Sequence, residues 1–192
     1  MVEDDGLPHG APAGVDVSDP VPPDDKDWTW VLQRPCPECG FEPDTIQVGD
    51  VPELVRANAG AWRDVLERAD ATTRPRPHVW SPLEYACHVR DVFLLYDKRL
   101  ALMLAEDDPL FANWDQDETA VTARYGAQDP SVVASELEAA GEEIATSFAA
   151  VRDDQWARTG TRSDGVRFTV ESFARYFVHD PIHHLYDVTA RP

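Results

Sequence analysis

The segment "YFVHDPIHHLYDV" holds His179, His183 and His184, half of the six histidines in the chain. On a helix, His179 and His183 stand four residues apart and project from one face, close enough for both imidazoles to bind one ion. The same spacing also occurs on solvated faces, and the feature that separates the two cases is a third ligand from another helix that faces the interior. His88, in "YACHVRDVF", is that candidate, because Tyr85, Val92 and Leu95 share its face and form a core-directed stripe. Three neutral imidazoles would hold a divalent ion with positions left open for water or substrate. Zinc or nickel suits such a set, and iron or manganese is compatible with it. Asp187 lies four residues beyond His183 and would orient an imidazole, ligate directly or act as a base. His184 points about 100° away from His183 and reads as the partner of Asp180 in a surface pair. No His-Glu-x-x-His occurs, so zinc-protease chemistry is excluded.

Other residues offer weaker signals. Asp115 and Asp117, in "NWDQD", would bind a polar substrate or accept a proton; the competing reading is that they cap a short helix at "DETAVTARY". Arg162 and Arg167 suit a substrate carboxylate, which a guanidinium can grip with two hydrogen bonds. Arg90 and Asp91 read as an ion pair. "CPECG" has the shape of a zinc knuckle, but a complete site needs four ligands and no second Cys-x-x-Cys exists. Cys36 and Cys39 therefore admit three readings: an inert turn, a knuckle completed by a histidine or a second subunit, or a redox dithiol. Cys87 faces away from His88 and reads as a small buried hydrophobe.

Four helices must position these groups. The first opens at "DVPE", with Asp50 as cap and Glu53 in capping-box position. The second opens at "WSPLE", where Ser81 caps, Pro82 takes the first helical position and Glu84 closes the box. The third starts at Asp129-Pro130, and the fourth near Thr169. Pro181 removes one helical hydrogen bond between His179 and His183, which predicts a kink there or a fresh start of the helix. Two long connections, roughly 105–128 and 153–168, are of a length that is usually functional in a compact bundle, and Asp164-Gly165 suits a tight turn or hairpin. The pattern predicts an all-α four-helix bundle over residues 50–192, preceded by an irregular Cys-x-x-Cys lead-in over 28–49 that Trp28 and Trp30 anchor. Residues 1–27 contain five prolines, eight acidic residues and one basic residue. They cannot bury enough surface to offset chain entropy and read as a disordered tail.

Composition limits the partners. Acidic residues outnumber basic ones 36 to 17, for a formal charge of −19, which repels phosphate backbones and anionic membrane surfaces and argues against nucleic-acid binding. No apolar run approaches the roughly 18–20 residues a bilayer span needs, and the N-terminus lacks a signal-peptide pattern. A cytoplasmic location is the expectation, and the odd cysteine count is not that of a disulfide framework. Helix faces of such bundles pair, so a homodimer is compatible. Two lysines stand against fifteen arginines, the composition of a GC-rich genome.

The stretches "WSPLEYACHVRDVF" and "RYFVHDPIHHLYDV" resemble the DinB-like superfamily over about Val51 to Val188. That resemblance implies a bundle of up-down-down-up topology carrying a three-histidine metal site, with His88, His179 and His183 as ligands. Characterised members related to mycothiol-dependent maleylpyruvate isomerase and bacillithiol S-transferases use a divalent ion to hold a low-molecular-weight thiol as thiolate, which attacks an electrophilic carbon. The implied function is a thiol-dependent S-transferase or isomerase acting on a small electrophile, with mycothiol as the thiol that a GC-rich source would supply. The alternatives are a metal-dependent hydrolase, with Asp115, Asp117 or Asp187 as base, and a non-enzymatic metal-binding or stress-response protein.

Overall fold

Residues 21–22 and 26–190 are described by the computed structural model; most of the expected disordered tail lies outside them. Helices α1 (Val51–Leu66) and α2 (Pro82–Ala105) lead to a two-residue strand β1 (Leu110–Phe111) and a short helix α3 (Gln116–Thr122). Then come α4 (Pro130–Ala149), the strands β2 (Thr159–Arg162) and β3 (Arg167–Thr169), and α5 (Val170–Thr189). Both α1 and α2 pack on α4 and on α5, which makes these four long helices the bundle. Leu83, Phe93, Leu137, Ile144, Phe148, Phe173 and Phe177 are at most 1% exposed and fill its interior. Each such side chain contributes about 1.5–3 kcal/mol by leaving water. The α1–α4 contact is tight because Gly141 has no side chain: a Cβ there would sit 2.7 Å from Ala59 Cβ.

Three of the four helix starts follow the sequence. Ser81 Oγ accepts from Glu84 N, and Glu84 returns the bond by accepting from Ser81 N at 2.8 Å. Asp129 accepts from Ser131 N at 2.8 Å, and Thr169 accepts from Ser172 N at 3.1 Å. The Asp50 capping box does not form. Asp50 ends a 3-10 turn, Val48–Asp50, with helical φ −89° and ψ −13°, and its side chain makes no cap bond. A capping side chain must fold back from an extended backbone, and a chain already turning enters the helix without one. Helix α5 runs through Pro181 as one element rather than starting afresh there. Asn58 donates from Nδ2 to the Pro181 carbonyl at 2.8 Å and accepts from Trp62 Nε1, which pins α5 to α1.

The two long connections meet. β1 pairs in parallel with β2, which pairs antiparallel with β3 across a turn where Gly165 takes φ +92°. The hairpin at Asp164-Gly165 matches expectation, whereas the parallel pairing of β1 joins segments about fifty residues apart and has no local signature. Arg158 closes the end of α2, donating to the Met103 carbonyl at 2.7 Å and to that of Glu106. The segment before α1 holds a first 3-10 helix at Trp28–Leu32. Its deepest anchors are Val31, Cys36 and Phe41, while Trp28 and Trp30 are half-buried. Arg175 of α5 donates to the Ile46 carbonyl at 3.1 Å and so fastens the lead-in to the bundle.

Candidate metal centre

His88 sits in the second turn of α2, 1% exposed, with the rings of Trp80 and Trp114 each 5.4 Å from its own. Trp114 reaches it because the connection after β1 folds over this end of the bundle, where α3 follows at once. Across from His88, α5 presents Asp180 and His184. His88 Nε2 is 3.4 Å from Asp180 Oδ1, and His184 Nε2 is 3.9 Å from Asp180 Oδ2. Two ligand atoms at about 2.1 Å from one ion and at a tetrahedral angle stand about 3.4 Å apart. The ligand atoms of His88, Asp180 and His184 all fall within 4.8 Å of one another. Asp180 Oδ1 is buried without a hydrogen-bond partner, although burial alone would raise its carboxyl pKa. The His88 and His184 imidazoles outweigh that burial and hold the group ionised, well below the usual carboxylate range. An anionic oxygen between two imidazole nitrogens is a donor set that fits a divalent ion.

The neighbouring turn of α5 faces the lead-in and makes a second cluster. Cys36, Cys39, His179 and His183 bring one ligand atom each within 4.8 Å of the others. Cys36 Sγ lies 3.7 Å from His183 Nδ1, and the His179 and His183 rings are 5.1 Å apart. Burial pushes the His179 imidazole down to about 4 and lowers that of His183, so both are neutral near pH 7. Burial likewise raises the Cys39 thiol to about 11, which disfavours a reactive free thiolate. Between the two clusters lies Asp187, its side chain 5% exposed: Oδ2 is 3.2 Å from His184 Nδ1 and 3.8 Å from His183 Nε2. Glu38 also approaches His183 Nε2, at 4.0 Å.

A cavity of about 360 Å³ opens above Asp180 and His184, walled by aromatic and polar side chains that include Trp28, Tyr85, Tyr96, Trp114 and Tyr176. Burial raises the Tyr96 and Tyr176 phenols, so both remain O–H donors. Two guanidiniums enter it. Arg99 donates to the Ala112 carbonyl at 2.7 Å and lies over the Phe111 ring, and Arg162, placed by β2, pairs with Asp164 at 2.6 Å.

The sequence candidates divide between these places. His88 does not share a ligation group with His179 and His183 among the described residues; it meets Asp180 and His184 instead. Asp180–His184 has the same four-residue spacing as His179–His183, so the signal was present, and the rotation of α5 decided which pair faces α2. His184 is therefore less of a surface residue than its spacing implied, with a side chain 19% exposed. Asp117 lines the cavity, whereas Asp115 caps α3 by accepting from Glu118 N at 2.8 Å. Arg167 lies outside the cavity, bonded to Asp108 and Thr159. Arg90 and Asp91 pair at 2.9 Å, and Asp91 accepts from the Tyr125 hydroxyl, again away from the cavity. Cys87 is fully buried and burial raises its thiol to about 12, so it packs as a hydrophobe.

A helical bundle with histidine and carboxylate groups gathered beneath a cavity defines a candidate metal-binding protein. A model of the DinB superfamily matches residues 53–188, and the chain belongs to that superfamily. Among solved structures, the chain is similar to YfiT from Bacillus subtilis, with 21% identity and a TM-score of 0.63 over 78% of this chain and 87% of that one. That protein is described as "a probable metal-dependent hydrolase with an unusual four-helix bundle topology". The likeness shows the fold. A search of curated proteins returned no match. Among the described residues, no helix is long and apolar enough to cross a membrane.

Proposed function

We propose that the chain is a divalent-metal-dependent enzyme that joins a low-molecular-weight thiol to a small anionic electrophile, or isomerises one with the thiol's help. The observation that carries this reading is the His88–Asp180–His184 cluster, in which Asp180 and His184 line a cavity whose walls hold two guanidiniums and His88 is buried behind them. Three ligands leave positions open for reactants, as catalytic sites do. The cavity volume is at the lower end of the range for small-molecule sites.

A divalent ion bound there supplies Lewis acidity that lowers the pKa of an arriving thiol. The chain's own residues do the rest. Asp187 accepts a hydrogen bond from the Nδ1–H of His184, which leaves the Nε2 lone pair on the Asp180 side free for the ion. Arg99 and Arg162 hold the substrate's anionic end, Tyr96 and Tyr176 donate hydrogen bonds, and Trp80 and Trp114 keep water from His88. Asp117 accepts a proton at the cavity wall.

A second reading, hydrolysis with water as nucleophile, is favoured by the likeness to a protein described as a probable metal-dependent hydrolase. The test is turnover of a fluorogenic electrophile and of a small ester by metal-loaded protein, with mycothiol, bacillithiol and glutathione each added separately. Thiol transfer predicts product only with ion and thiol together, and a loss of about two orders of magnitude in His88→Ala and His184→Ala. Ester cleavage that needs the ion and no thiol would replace it by hydrolysis. Retained activity in His184→Ala, with loss in His88→Ala and His179→Ala, would return the centre to His88, His179 and His183.

A further inference from the structure

We propose that Cys36, Cys39, His179 and His183 form a second, closed zinc site that clamps the N-terminal lead-in onto α5. Its ligand set differs from that of the cavity centre, although His179 and His183 also line the cavity, and it does not depend on the reaction assigned to that centre.

The turn that carries the cysteines is shaped for a metal. Gly40 takes φ +74°, a left-handed conformation that glycine adopts without strain. Its N–H donates to the Cys36 carbonyl at 2.9 Å, and Cys36 N donates to the Phe41 carbonyl at 2.8 Å. This folds Cys36 and Cys39 toward one point, where α5 delivers two imidazoles from successive turns. The Cys36 Sγ to His183 Nδ1 separation of 3.7 Å is too long for a strong hydrogen bond. It matches the roughly 3.6 Å expected when sulfur at about 2.3 Å and nitrogen at about 2.05 Å bind one ion tetrahedrally.

An independent observation points the same way. His179 is 4% exposed, and its Nε2 is buried with no hydrogen-bond partner. A buried, unpaired imidazole nitrogen is costly unless something ligates it. Two aromatic rings flank the His179 ring, Phe41 at 5.2 Å and Trp28 at 5.5 Å. If His183 ligates through Nδ1, its Nε2–H faces Asp187 and Glu38, the carboxylate support that metal-bound histidines use.

Four protein ligands complete a tetrahedron and leave no position for substrate, which is the mark of a structural site. Two thiolates select zinc over hard cations, and as they bind, the two thiols release their protons to solvent and the ion's charge is neutralised. A redox dithiol would leave both histidines without a role. The clamp joins residues 147 positions apart in the chain. It also holds Trp28 and Glu38, which wall the cavity.

The test uses full-length untagged protein, with zinc counted by mass spectrometry and cobalt(II) substituted as a spectroscopic probe. Wild type should hold about two ions per chain and show thiolate-to-cobalt charge-transfer absorption. His88→Ala should lose about one ion and keep that absorption. The Cys36→Ser/Cys39→Ser double variant should lose about one ion and the absorption. If the double variant does not fold, the wild-type and His88→Ala spectra decide. A wild-type cobalt protein without thiolate absorption, or a double variant with its full metal content, would overturn the clamp. About one ion, thiolate-bound and retained in His88→Ala, would uphold the clamp and remove the cavity centre instead.

Discussion

Asp187 is where the two clusters touch, because one carboxylate oxygen lies between His183 Nε2 and His184 Nδ1. A hydrogen bond to one ring nitrogen of a histidine decides which nitrogen keeps a lone pair for the ion. Asp187→Asn keeps the volume and removes the charged acceptor. The expected result is a fall in cavity-site metal affinity of about 10–100-fold with unchanged helicity, measured by competition with a chromophoric chelator. Unchanged affinity would mean that Asp187 does not orient His184. The sequence already marked Asp187 as a residue able to orient an imidazole, because it is four positions from His183. It also held the Asp180–His184 spacing. What it lacked was the azimuth of α5, which sets whether His179 and His183 or Asp180 and His184 look toward α2.

At the scale of elements, the start of α2 fixes the height of His88. Glu84 accepts from Ser81 N and Oγ at 2.8 and 2.9 Å and from Arg74 Nε at 2.9 Å, with the Arg74 and Glu84 side chains 5% and 4% exposed. The capping box was legible in "WSPLE", since its residues lie within one turn. The Arg74 partner was not, since a loop residue has no periodicity to follow. Glu84→Gln removes the carboxylate charge paired with the buried Arg74 guanidinium and should cost about 3–5 kcal/mol, whereas Ser81→Ala should cost about 1 kcal/mol. Urea unfolding of both variants checks the ranking; equal losses would mean the cap and not the ion pair holds this corner. The strands carry a related lesson. Gly160 on β2 lets the strand lie against α2, where a Cβ would meet Met103 Cγ at 2.7 Å. The contact that places Arg162 in the cavity wall thus depends on a missing side chain that sequence periodicity does not register.

For the whole molecule the charge of −19 dominates. Exposed pairs such as Arg56–Glu142 and Arg63–Glu138 tie α1 to α4, but exposed pairs contribute little and are weakened by salt. Repulsion among the excess carboxylates is screened by the same salt, within about 10 Å at 0.1 M. Repulsion should win, so the thermal midpoint should rise by about 2–4 °C between low and moderate salt, measured by circular dichroism at constant metal loading. A midpoint that falls with salt would show that the ion pairs outweigh the net charge.

Local rules were enough to give the helices and three of their starts, the Asp164-Gly165 hairpin and the residues from which the candidate metal sites are built. Each is written in contacts a few residues apart, through helical spacing, caps and turn chemistry. The tertiary structure decided how those residues combine. It placed His88 with Asp180 and His184, and it brought the Cys36–Cys39 turn to His179 and His183, because helix rotation and the docking of the lead-in depend on packing across the whole bundle. A ligand set drawn from distant segments is a property of that packing, and side-chain spacing within one helix can only nominate its members.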